Sequence, residues 1–234
     1  MLSIEGWIDG ITASGVVLIG CIIGLFFIYK SRKLEANLLF YLGLLGVLAG
    51  LAFLGVFLDF LIVLLTGRNM DTPYGIVGLL SYIWVAPLIV LAIHIGGELM
   101  APEKKWYITS IYIILMIIFE ILLFSDIRGS FNLTPPSNPG EALIDYNLKL
   151  TSYAGFLMII FIASVIIFLG IGFLIKGIQS TGALRKKFLL LSTGVFLYAV
   201  FGFLESLTEP GFLLIIIRVG YISGPFFMYF GLKG

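Results

Sequence analysis

The chain has 234 residues, 60% of them hydrophobic and only 12% charged, with a net charge of +1. Soluble domains carry about 25% charged residues, so this balance describes an integral membrane protein and offers no basic face for nucleic acid. One cysteine, Cys21, excludes an intrachain disulfide, and one histidine, His94, excludes metal or haem sites built on several histidines; no cofactor and no metal are expected. The opening stretch, MLSIEGWIDG, is acidic, lacks a basic leader and does not resemble a cleaved signal peptide.

A membrane-crossing helix needs about 20 mostly apolar residues. Seven stretches meet this, at residues 11–29, 38–65, 74–95, 106–124, 152–175, 188–204 and 212–232. Their continuous apolarity excludes the alternating pattern of a membrane β-barrel. The expected fold is all-α: one seven-helix transmembrane bundle filling residues 1–234, multi-pass in the cell membrane. Ten Lys and Arg residues fall on one side of these spans, among them Lys30, Arg32, Lys33, Arg185, Lys186, Lys187 and Lys233. Three, Arg68, Arg128 and Lys149, fall on the other. The positive-inside rule then puts the N-terminus outside and the C-terminus in the cytoplasm.

Small residues recur at four-residue spacing in Gly20/Gly24, Gly46/Gly50 and Gly220/Gly224. Such faces let helix backbones approach closely, within the chain or across a homodimer. Pro87 in the third span and Gly224-Pro225 in the seventh each remove a helical hydrogen bond, which makes them candidate kinks or hinges. Residues 125–151 form an external loop, irregular in expectation, with TPPSNPG at its centre. It includes a formal glycosylation sequon, Asn132-Leu133-Thr134, to which no role is assigned.

Arg218 lies inside the seventh span, six residues or about 9 Å from its outer edge. A charge at that depth faces a partner or a polar cavity. Three acids lie in the outer half of the membrane: Asp59, Glu205 and Glu120, ranked in that order as partners of Arg218. Together with Tyr82, Trp84 and Tyr221 they outline a candidate ligand pocket open to the outside. A buried ion pair that only fixes helix packing is the competing reading. If Asp59 takes Arg218, Glu120 is left without a cation. At the inner end of the third span, His94 and Glu98 share a helix face, which favours a histidine–carboxylate hydrogen bond. Two ligands alone do not make a zinc site.

Seven helices and an external N-terminus invite comparison with rhodopsins. A retinal Schiff base needs a lysine in the middle of the seventh helix, where this chain has Arg218, so it is not a retinal-binding rhodopsin. Over its whole topology, and in the basic turn Ala183-Leu184-Arg185-Lys186-Lys187-Phe188 that leads to Gly194, the chain resembles the seven-helix N-terminal sensor region of prokaryotic histidine kinases. The resemblance implies a receptor-like protein that binds a small ligand and relays through this turn, with His94 and Glu98 nearby. Because the chain ends at Gly234 without a kinase domain, the expected receiver is a separate cytoplasmic signalling protein. A small-molecule or ion transporter using the same charges is the alternative. A membrane enzyme ranks last, because no serine–histidine pair or aspartate motif stands out.

Overall fold

The computed structural model describes residues 2–70, 75–208 and 211–232. The expected start of the third span at Tyr74 and the tail residue Lys233 lie outside the described residues. Among the described residues, six helices are long and apolar enough to cross a membrane, and a bent pair makes a seventh if counted as one span. The chain is therefore a helical, multi-pass membrane protein.

The first helix, α1 (Ile4–Leu34), is longer than its apolar run suggests. Ser3 caps it by accepting from the Gly6 amide at 3.1 Å, and Glu5 favours the first turn. Its 31 residues extend about 46 Å, so it tilts or protrudes from a core of about 30 Å. The second stretch is not one over-long helix. It divides into α2 (Asn37–Leu51) and α3 (Leu54–Thr66), bent by 45° at Ala52-Phe53. Gly55, just past the bend, sits so close to the next helix that an added Cβ would collide with the Val77 carbonyl. The Gly55 amide donates to Ser81 Oγ at 3.0 Å, which keeps the bend free of an orphaned backbone group.

The third span is α4 (Ile76–Tyr82) followed by α5 (Val85–Met100). The interruption at Ile83-Trp84 falls where Pro87 has no amide to donate to the Ile83 carbonyl. Next come α6 (Lys105–Ser125), a single turn α7 (Ile127–Ser130), and then α8 (Tyr153–Val165), a π-helical segment (Ile166–Ile171) and α9 (Gly172–Gln179). The last two helices are α10 (Gly182–Glu205) and α11 (Phe212–Leu232). Pro225 lies within α11 without ending it. Gly224 is packed so closely on Tyr198 and the Gly194 carbonyl that an added Cβ would lie 2.6 and 2.9 Å from them. Close packing against α10 is what this glycine serves.

All three small-residue faces meet partners inside the chain. A Cβ on Gly20 would lie 2.8 Å from the Gly50 Cα, and one on Gly24 2.6 Å from the Gly43 carbonyl. Gly220 packs on the Phe201 ring. These faces thus serve packing within the chain, α1 against α2 and α10 against α11. The outer side of α6 carries exposed Ile114, Ile117 and Ile121, as a lipid-facing helix requires.

The long connection after α6 is ordered, which corrects the expectation of an irregular loop, while the bundle it joins is helical as expected. Strands β1 (Phe131–Thr134) and β2 (Asp145–Leu148) pair antiparallel, with Phe131 opposite Leu148. Both of those side chains are buried against α5, α6 and α8. The segment between the strands folds back over one end of the bundle. There Glu141 accepts from the Ser3 amide at 2.7 Å, and Asn69 accepts from the Gly140 amide at 2.7 Å. We call this the hairpin end and the opposite one, where the turns are rich in Lys and Arg, the basic end. At the basic end the interior is filled by Phe27, Leu42, Ala92, Phe173, Leu191 and Met228.

Candidate functional site

Arg218 projects from α11 into the bundle near the hairpin end, with its side chain only 3% exposed. Its Nη1 lies 2.6 Å from Asp9 Oδ1, an ion contact without hydrogen-bond alignment, and donates to the Asp9 carbonyl and to Thr12 Oγ1, both at 2.7 Å. Its Nη2 donates to Glu205 Oε1 at 3.2 Å. The Phe53 ring covers the guanidinium, 5.3 Å from its centroid. Two carboxylates therefore face one cation. Asp9 is sealed (6% exposed) and Glu205 is the open member (26%).

The pairing with Asp59 is not formed. Asp59 is fully buried and holds backbone and amide donors instead. It accepts from the Met70 amide at 2.6 Å, the Asn69 side chain at 3.0 Å and the Ile144 amide at 2.9 Å. Its charge is satisfied by three N–H groups, and its role is to fasten the hairpin segment to the end of α3. Glu205, the second-ranked partner, is a true one. Glu120, the third, is distant from this cluster in the hydrogen-bond network: neither carboxylate oxygen has a partner among the described residues.

Asp9 falls outside an apolar run that begins at Ile11, and Thr12 lies inside that run but carries no charge to mark it. The signal was present. Ser3 followed by Glu5 is a helix start, and it carries Asp9 into the span on a buried face.

Beside the triad lies a central cavity of about 160 Å³. Its floor and walls are apolar, built from Leu45, Leu88, Met158, Leu169, Val195 and Met228 among others. Toward the hairpin end its lining changes to Tyr82, Tyr146, Tyr198, Tyr221, Ser206 and Glu205. A second, polar recess of about 20 Å³, room for about one water, holds Asp9, Asn147, Thr208 and Arg218. Tyr146 and Glu205 border both spaces and form the partition between them. Tyr146 comes from β2, so the hairpin supplies part of the cavity roof. Its phenol shares a 2.6 Å hydrogen bond with Ser81 Oγ, the atom that also caps the Gly55 amide. Burial, reinforced by the Glu205 charge, pushes the Tyr146 phenol well above its usual value, so it remains a neutral hydrogen-bonding group.

Of the other expected pocket residues, Tyr82 and Tyr221 line the cavity. Tyr221 also donates to the Ala49 carbonyl at 3.2 Å. Trp84 does not line it, and its buried Nε1 has no partner among the described residues. Near the basic end, the expected His94–Glu98 bond is replaced by two separate contacts. His94 Nδ1 is 3.1 Å from Thr109 Oγ1, with the ring packed between Tyr41 and Trp106, while Glu98 pairs with Lys105. Helix α6 supplies both partners, Thr109 and Lys105. Arg185 and Lys186 are exposed at the start of α10 and Lys187 is half-buried. No group of three His, Cys, Asp and Glu side chains among the described residues is arranged to hold a metal ion. Among protein-family models and curated proteins, none matches this chain.

Proposed function

We propose that this is a seven-helix receptor-like protein of the cell membrane that binds a small amphipathic ligand in the central cavity and relays its presence to a separate cytoplasmic partner. On this reading the bent pair α2–α3 counts as one span, the hairpin end faces outside, and the basic turns face the cytoplasm. The observation that carries the proposal is the cavity of about 160 Å³, apolar in depth and polar at the hairpin end. Concave, mostly apolar sites with a few converging polar groups are what small ligands use.

Two further features support a receptor over the transporter alternative. Toward the basic end Phe173, Leu191 and Met228 belong to a packed apolar cluster, and among the described residues no polar side chain lines the cavity on that side. Helix α10 joins the two ends in one unbroken element. It lines the cavity with Tyr198, Ala199 and Glu205 and begins at the basic turn about 30 Å away. A shift of α10 on ligand binding would move Arg185 and Lys186 directly. Such a relay is what the resemblance read from the sequence, to the sensor regions of prokaryotic histidine kinases, would imply.

The test uses the protein in lipid nanodiscs with a diazirine-bearing medium-chain alcohol as a photoactivatable probe. Labelled peptides should come from cavity-lining segments around Met158, Leu169 and Ala199, and Ala199→Trp should abolish them. Labelling confined to the lipid-facing side of α6 would overturn the proposal.

A further inference from the structure

Resting on that cavity reading, we infer that the ligand carries a cationic ammonium head, held at the hairpin end of the cavity by Glu205 and the surrounding tyrosine rings. The inference begins with which charged group the cavity meets. Of the three members of the ion cluster, only Glu205 lines the large cavity; Arg218 and Asp9 lie behind the partition. Arg218 is already matched by Asp9 at 2.6 Å, by two further oxygens at 2.7 Å, and by the Phe53 ring. Glu205 meets it at a longer 3.2 Å through one oxygen, Oε1. One cation faces two carboxyl groups, and Glu205, the more exposed acid and the one held at longer range, is the carboxyl available to a second cation.

The walls around Glu205 have the complementary chemistry. Tyr198 and Tyr221 lie with centroids 4.1 Å apart on one side, and Tyr82 and Tyr146 pair at 6.3 Å on the other. Aromatic faces attract a cation within about 6 Å of their centroids, and rings grouped around a carboxylate are suited to alkylated ammonium groups. An anionic head would have to pass Glu205 to reach Arg218, which does not line the cavity. The apolar depth below the tyrosines then takes the alkyl body of the ligand.

The experiment measures competition against the photoactivatable alcohol in nanodiscs by three isosteres: octyltrimethylammonium, octanol and octanoate. They are compared at equal concentration in the bilayer, which removes differences in partitioning. The ammonium should compete about tenfold better than octanol, equivalent to about 1.4 kcal/mol, and octanoate least well. Glu205→Gln should erase the ammonium preference while octanol still competes, and that retained competition shows that the variant is folded. The wild-type ranking is decisive even if the variant fails to fold. Octanoate equal to or better than octanol, or ammonium no better than octanol, would overturn the head-group assignment and leave the cavity reading standing. If the alcohol itself fails to label the cavity, both readings fall.

Discussion

Arg218 is the residue on which the hairpin end depends, and its true partner sets the expected response to mutation. Removing one side of a buried ion pair leaves an uncompensated charge and costs about 3–5 kcal/mol. Asp9→Asn is therefore expected to destabilise the protein in detergent by about 3 kcal/mol. Glu205→Gln should cost less, because Asp9 and Thr12 continue to hold the guanidinium. A double-mutant cycle checks this: Asp9 and Arg218 should couple, whereas Asp59 and Arg218 should be additive within about 0.5 kcal/mol. Strong coupling between Asp59 and Arg218 would contradict the observed network. The need of Arg218 for a partner was legible in the sequence, because a guanidinium in an apolar run has few solutions. Which acid answers it was not. Depth can be counted along a helix, but the facing of α1, α10 and α11 depends on packing that no local pattern records.

At the scale of the elements, long apolar runs were easy to read and their interruptions were not. The run from 38 to 65 contains no proline and no polar break before Asp59, yet it bends at Ala52-Phe53. What permits the bend is tertiary: the missing side chain of Gly55 and the hydroxyl of Ser81, 26 residues away. Gly55→Ala should thus force α3 from α4 and lower the melting temperature sharply, while Gly211→Ala, which meets nothing within 4 Å, should leave it unchanged. Equal melting temperatures for the two variants would show that α3 and α4 are not in intimate contact. The hairpin escaped notice for a related reason. Its strands are four residues each, and their buried apolar members, Phe131 and Leu148, become informative only once α5, α6 and α8 provide a surface to bury them.

For the whole molecule, the charge bias of the connections makes a prediction about placement in the membrane. In a Cys21→Ser background, a cysteine at Ser180, in the turn between α9 and α10, should resist a membrane-impermeant thiol reagent in intact cells and react after permeabilisation. Labelling of intact cells would invert the molecule and put the hairpin in the cytoplasm. The order in which the hairpin end can be assembled follows from Asp59. Two of its donors, Asn69 and Met70, lie 10 and 11 residues downstream and are made almost at once. The third, Ile144, lies 85 residues downstream. At ~5–20 residues per second, the ribosome reaches it about 4–17 s later. For that interval the nascent protein holds the Asp59 carboxylate with two of its three donors, and the hairpin segment is not yet fastened to α3. Biosynthesis therefore makes Tyr146, part of the roof of the cavity, before Met158, Leu169, Val195 and Met228, so the walls close beneath a roof already made.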